Sequence, residues 1–347
     1  MNKQTRLAAL GTIMLLALSC LDAATAGADE PYYQGKTIRL LIGQPPGGGY
    51  DTYGRLFARF LPQFVPGQPS VVLQHMPGAG GLVMANHLYT QAPHDGTTIA
   101  LGSGGIATAA LFGIPGARFD ARRFSWIGNM NSEVGISVAW HQSGIKTTAD
   151  LFDREFIVGG SGANSDSVVF PNVLNAVMGM RFKVVPGYKG MAEIVLAMER
   201  GEVQGAGNWH YSSIVFNRPD WLRDKKIALL LQIGLRPHPD LPNVPTVLDI
   251  ARDAEQKEIL QLVLAQQLIG RPIMGPPDMA AEPFAVLQRA FDDMMRDPGF
   301  LAEAEHGKIE VVEPMSGERV RQTVERLYAA DPALIKKASA VFPGQPN

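Results

Sequence analysis

The sequence predicts an α/β protein of two domains, each a mainly parallel sheet flanked by helices, and three observations lead there. Short apolar strands alternate with helical runs along the chain, the pattern that parallel sheets with right-handed crossovers produce. Two glycine-rich turns, Pro45-Pro46-Gly47-Gly48-Gly49-Tyr50-Asp51-Thr52 and Pro77-Gly78-Ala79-Gly80-Gly81, each join the end of an apolar strand to a helix. At 347 residues the chain is longer than one core usually serves, so two domains are expected.

In chain order, Lys3 and Arg6 precede an apolar run over 7–18, and Ala24-Thr25-Ala26 supplies the small-x-small pattern that a signal peptidase reads. The run is too short to span a bilayer stably, so residues 1–26 read as a removed export signal. Leu18-Ser19-Cys20 faintly resembles a lipoprotein site, with Ala17 where leucine is usual, which makes lipid attachment at Cys20 the minor alternative. Cleavage after Ala26 leaves a chain without cysteine, which must rely on its core rather than on disulfides.

Beyond the signal, strands are expected at 38–42, 71–75, 98–101, 135–140, 155–158, 182–185, 203–206, 227–232 and 269–274. Helices are expected at 51–64, 82–89, 165–178, 191–200, 278–296 and 317–330. In 278–296, Phe284, Leu287, Ala290, Phe291 and Met294 recur at three- and four-residue steps, the mark of one buried face. The proline-rich stretch 236–242 and the segment 127–137 are where the chain is expected to pass between domains.

Composition narrows the function. A net charge of −2 with 18% charged residues offers no basic face for nucleic acid. The seven histidines form no HExxH and no paired ligand spacing, so neither a metal nor any other cofactor is expected. Gly159-Gly160-Ser161-Gly162-Ala163 approaches a nucleophile elbow, but it ends in Ala163 and lacks a placed acid and histidine. Gly102-x-Gly104-x-x-Ala107 with Asp120 fits a loose dinucleotide fingerprint, a weak match standing alone. The chain is therefore read as a binding protein, with a secreted hydrolase as the lesser alternative.

The glycine turns suggest what it binds. A glycine run opening a helix bares N–H groups aligned with the positive end of the helix dipole, which suits a carboxylate or phosphate. Two such turns at neighbouring strand ends lie where open α/β sheets hold ligands. Asp51 is read first as the cap of the helix that it begins. Ser103 and Gly104, closing the third strand, add donors. Ser161, Asn164, Ser165 and Ser167 form a polar turn in the second domain. Tyr188, Lys189 and Gly190 form another, in which Lys189 either supplies a positive charge or faces solvent. Asn208 and Trp209 follow the strand 203–206 and are weaker candidates.

The ordered set Tyr33-x-x-Lys36-x-Ile38-Arg39, Pro45-Pro46-Gly47-Gly48 with Asp51 and Arg55, Pro77-Gly78-Ala79-Gly80-Gly81 and Ala92-Pro93-x-Asp95-Gly96 resembles the periplasmic solute-binding proteins of tripartite tricarboxylate transporters, the Bug or TctC family. The likeness runs on through Gly160-Ser161-Gly162, Tyr188-Lys189-Gly190, Leu241-Pro242-x-Val244-Pro245-Thr246-Val247 and Gly275-Pro276-Pro277. It implies a two-lobed Venus flytrap, with 31–133 plus 238–347 as the first lobe and 134–237 as the second. It also implies a monomer in the periplasm that closes on a small carboxylate and passes it to integral-membrane transporter subunits, or else presents it to a signalling partner. Carried over position by position, the resemblance assigns the ligand's carboxylate to Gly47, Gly48, Gly49, Tyr50 and Asp51 in the first turn. In the second turn it assigns Gly78, Ala79, Gly80 and Gly81. Gln44, Asn208-Trp209-His210 and Asp166 depart from the family pattern and leave the cargo's identity open. An acid such as Asp166 beside an anion site is costly unless it caps a helix or binds a donor on the ligand.

Overall fold

The computed structural model describes residues 30–342, and the expected export signal with Cys20 lies outside them. Two mixed sheets organise the chain. The first contains β1 (Thr37–Ile42), β2 (Ser70–His75), β3 (Thr98–Leu101), β4 (Phe124–Asn129), β10 (Pro272–Pro277) and β11 (Met315–Ser316), in the order β11-β4-β10-β3-β1-β2. The second contains β5 (Gly135–Trp140), β6 (Phe156–Gly159), β7 (Phe182–Val185), β8 (Gly205–His210) and β9 (Ile227–Ile233), in the order β7-β6-β8-β5-β9.

The parallel parts, β2-β1-β3 and β7-β6-β8, are the strands joined by helical crossovers. The other pairings are antiparallel because β4, β5, β9 and β10 carry the chain from one sheet to the other and back. The two passing segments bond to each other: Met130 N–H donates to Arg271 C=O, and Gly270 N–H to Asn131 C=O. Glu133 N–H donates to Gln267 C=O at 2.8 Å.

Helices cover both sheets: α1 (Gly49–Phe60), α2 (Leu82–Thr90), α3 (Gly104–Ala109), α4 (Asp150–Asp153), α5 (Asp166–Met178), α6 (Met191–Glu199), α7 (Tyr211–Asn217), α8 (Pro219–Arg223), α9 (Ala254–Leu264), α10 (Ala281–Met294), α11 (Pro298–His306), α12 (Gly317–Tyr328) and α13 (Pro332–Ala340). In the first lobe, Ile38, Leu40, Phe57, Phe291 and Phe300 share a fully buried core. In the second, Ile136 and Ile194 pack with Trp209 and Trp221. Helix α5 ends on Gly179, whose left-handed backbone lets its N–H reach Asn175 C=O and the next N–H reach Leu174 C=O.

Three expectations shift. The strand expected at 203–206 runs over Gly205–His210, so Asn208, Trp209 and His210 belong to the sheet instead of following it. The strand expected at 269–274 starts at Pro272 and runs through Pro277; prolines discourage a strand reading, and only Ile273 and Met274 pair with β3. Strand β4 occupies part of the expected passage, and its Gly128 admits the Phe291 ring, which a Cβ would meet at 2.2 Å. The chain just after 237 stays fastened to the second sheet. There the buried Gln232 side chain donates to Leu241 and Val244 C=O, and Thr246 bridges Gln232.

Candidate functional site

A cavity of about 350 Å³ lies between the lobes, within the range of small-molecule sites. From the first lobe its wall takes Gln44, Pro45, Pro46, Gly47, Gly48, Gly49, Tyr50 and Ser103. From the second it takes Ser161, Ser165, Asp166, Ser167, Gly190, Met191, Val195, Leu196, Asn208, Trp209 and His210. Helix α7 and the stretch after it add Ser213, Asn217 and Arg218, and the returning passage adds Arg271.

The first glycine turn is shaped by α1. Gly47 has φ +86° and Gly48 is the helix cap residue, with no side-chain cap of its own. Asp51 is the third helical residue and not the cap expected from the sequence. Its carboxylate reaches back to Gly47 N–H at 3.0 Å and also takes Arg55 Nε at 3.1 Å. His75 Nε2 lies 3.0 Å from its other oxygen. Burial pushes the Asp51 carboxyl upward, but Gly47, Arg55 and His75 outweigh it and hold the group below its usual range. Asp51 thus shapes the turn without lining the cavity and uses up the Gly47 donor. Gly49, Tyr50 and Asp51 open α1, where N–H groups have no carbonyl one turn back to bond.

The second turn has a different place. Gly78, Ala79, Gly80 and Gly81 are not in the cavity wall; Ala79 and Gly80 meet the second lobe, while Gly78 and Gly81 pack within the first. A Cβ on Gly80 would lie 2.4 Å from Asn164 C and from Ser165 N, and one on Gly162 would lie 2.2 Å from Gly80 N. Asn164, 3% exposed, sits at this contact outside the wall; Gly104 also lies outside the wall, packed against Gln266 C=O. In the cavity wall itself, a Cβ on Gly190 would meet Pro45 Cγ at 2.7 Å.

The polar turn of the second lobe is a serine network. Ser161 N–H donates to Ser167 Oγ at 3.2 Å, Gly162 N–H donates to Ser165 Oγ at 3.2 Å, and the Ser165 and Ser167 hydroxyls are 2.9 Å apart. Ser103 Oγ is buried in the wall without a hydrogen-bond partner among the described residues. The same is true of both amide atoms of Asn208, 1% exposed. Tyr188 packs beside Gly159 outside the wall, and burial raises its pKa. Lys189 faces solvent with its side chain 81% exposed and its ammonium 3.5 Å from Glu193, the second of its two sequence readings.

Sequence reasoning missed Arg271. Its guanidinium is fully buried where the two passages meet, 3.0 Å from Glu133 and 3.2 Å from Ser213 Oγ, and it lies over the Tyr50 and Tyr53 rings at 4.2 and 4.8 Å. Glu133 is completed by Ser212 Oγ and Asn131 Nδ2. Burial works against the Arg271 charge, but Glu133, Tyr50 and Tyr53 more than offset it and raise its pKa. Burial likewise raises the Tyr50 and Tyr53 hydroxyls, which stay protonated. The available signal was a lone arginine inside Leu268-Ile269-Gly270-Arg271-Pro272-Ile273, an apolar run. Its partner, 138 positions earlier, had no such mark.

Among the described residues no three His, Cys, Asp or Glu side chains are grouped to hold a metal, and no helix is long and apolar enough to cross a membrane.

The family model of the tripartite tricarboxylate transporter family receptor, TctC, matches residues 64–339. A Cupriavidus necator protein from the gbd 5′ region is 25% identical over 267 residues, covering 72% of this chain and 75% of its own. The protein BugT of Bordetella pertussis is 38% identical over 93 residues, 26% of this chain and 28% of its own. Among solved structures, the periplasmic binding protein BugD matches with a TM-score of 0.71 at 17% identity, over 89% of this chain and 99% of its own. MatC from Rhodopseudomonas palustris with bound malate matches with a TM-score of 0.69 at 19% identity, over 88% of this chain and 99% of its own. At these identities the structural likeness is one of fold.

Proposed function

We propose that this chain, which belongs to the tripartite tricarboxylate transporter receptor (TctC) family, captures a small organic acid between its lobes and delivers it to membrane transporter subunits. The observation that carries this reading is the cavity itself, walled by the opening turn of α1 on one side and the serine network on the other. Unbonded first-turn N–H groups and the dipole of α1 attract a carboxylate. Arg218, one third exposed in the wall, adds a cation that Glu199 holds only loosely at 3.6 Å. Met191, Val195, Leu196 and Trp209 supply apolar surface for the carbon skeleton.

Capture works by population shift. A ligand that touches both lobes binds the closed arrangement better than the open one and moves the equilibrium toward it. The bound relatives malate, in MatC, and adipate, in a second R. palustris protein, are small carboxylates and support the class of cargo. The protein acts in the periplasm as a monomer without cofactor and carries out no reaction on its cargo.

Titration calorimetry of the chain from residue 27 onward, against mono-, di- and tricarboxylates, tests this reading. Micromolar or tighter binding of at least one acid is expected, and absence of heat from every acid would overturn it. Loss of uptake of that acid in a strain lacking the protein checks the delivery step, and unchanged uptake would remove it.

A further inference from the structure

Among the described residues Asp166 is the only carboxylate in the cavity wall, and no N–H or O–H donates a hydrogen bond to it. Its side chain is 18% exposed and accepts no hydrogen bond from any described residue. His210 Nε2 approaches to 3.0 Å, but it lacks the alignment of a hydrogen bond and is itself buried without a hydrogen-bond partner. Acids that cap helices behave differently, since the cap of this helix is Ser165. Asp253, Asp297 and Asp331 each take a backbone N–H from the first turn of their helix, and Asp51 takes Gly47 N–H. Asp166 stands in the first turn of α5, where the helix dipole favours an acid whichever way it faces. That accounts for its charge but not for acceptor sites left unused toward a cavity. An acceptor in such a place gains most from a donor that arrives with the ligand.

We infer that the cargo carries a hydroxyl or ammonium group in addition to its carboxylate, and that Asp166 reads this donor. The inference rests on the capture of an organic acid in this cavity. The carboxylate end settles at the opening turn of α1, and the donor end turns toward Asp166. The same charge repels a second carboxylate placed there, so a plain diacid loses on both counts. Selectivity thus comes from attraction of one end and rejection of the wrong other end.

The test compares matched acids by titration calorimetry: succinate, malate and aspartate; glutarate, 2-hydroxyglutarate and glutamate; and 3-phenylpropionate, 3-phenyllactate and phenylalanine. In at least one set the donor-bearing acid is expected to bind about tenfold or more tightly than its parent, the scale of one hydrogen bond to a charged group. Asp166→Asn keeps the shape and is expected to bring that ratio close to one, by weakening the donor-bearing acid and by tightening succinate and glutarate, whose second carboxylate is no longer repelled. Asp166→Ser, which suits a helix start, serves as a second variant, and unliganded melting of both confirms that they fold. Parent acids that bind as tightly as their substituted partners, or a ratio unchanged in both variants, would overturn the inference while leaving carboxylate capture intact. Failure of every acid to bind would overturn both.

Discussion

The two glycine turns of the first lobe look alike in sequence and are placed differently in the structure. At Gly47 and Gly48 a Cβ would meet nothing within 4 Å, and both residues border the cavity. At Gly80 a Cβ would strike the backbone of Asn164 and Ser165 across the interlobe boundary. Glycine in the first turn leaves open space beside the cavity. In the second it lets two main chains touch without side chains between them. The first turn is also anchored, with Tyr50 under the Arg271 guanidinium and Gly49 beside Ser213, whereas the second packs on Val83 at Gly78 and on the opposing lobe at Gly80. A glycine motif therefore says that something comes close and leaves open whether it is ligand or protein.

Breaking the anchor should have the largest effect. Arg271→Leu strands the Glu133 carboxylate in a site where both side chains have no exposure, and stability should fall by about 3–5 kcal/mol in urea unfolding. Glu133→Leu added to it should restore part of that loss. A single variant that melts like the parent would show that the first turn needs no anchor.

Next comes the lobe contact. Gly162 has ordinary backbone angles, so Gly162→Ala adds a methyl at 2.2 Å from Gly80 N without local strain. An overpacking cost of about 1–3 kcal/mol would fall on the closed arrangement alone, weakening binding roughly five- to 150-fold. Small-angle scattering in ligand should shift toward a more open particle while the melting of the free protein stays put. Gly80→Ala should be worse, because φ +69° adds about 1–2 kcal/mol of left-handed strain. Full affinity in Gly162→Ala would erase the distinction between the turns.

Gly48→Ala sharpens the comparison from the other side. With φ −98° and open space around its Cβ, it should fold normally and lose less than about tenfold in affinity, the effect of one methyl in a cavity. A loss as large as that of Gly162→Ala would mean that the first turn is also packed to contact.

The smallest effect belongs to Asp51. Its carboxyl is held below the ordinary range, so its contribution to stability is complete above the unfolded value near pH 4 and is lost as pH falls through the lower folded value. Asp51→Asn should cost about 0.5–1.5 kcal/mol at pH 7, with the difference from the parent shrinking below about pH 4. Ligand affinity should hardly change, since Asp51 does not line the cavity. A marked drop in affinity at unchanged stability would return Asp51 to the site.

Much of the fold was legible because local rules dominate there. The strands at 98–101, 135–140 and 182–185 coincide with the observed ones, and the buried face of α10 follows its three- and four-residue spacing. The boundaries that moved did so under longer-range forces. Strand β8 continues through Asn208 and His210, polar residues that pairing with β5 carries into the sheet, and β10 tolerates prolines because they stand at its first residue and at the register shift that ends its pairing with β4. Of the site, the first turn, Ser103 and the serines of the second lobe stand in the cavity wall, while Lys189 and Asp51 stand outside it. Arg271 and Arg218 entered the wall from places where no motif draws attention, and His210 from a position marked only as a departure from the family pattern.

The amino-acid order alone established the alternation of strands and helices, the glycine turns at strand ends and the family likeness, because these rest on neighbours within a few positions of each other. Tertiary structure decided which turn borders the cavity and which meets the opposing lobe, paired Arg271 with Glu133, and set Asp166 in the wall beside His210. Those outcomes depend on where two lobes, folded from distant stretches of chain, come into register across a gap of a few ångströms, and no local pattern encodes that distance.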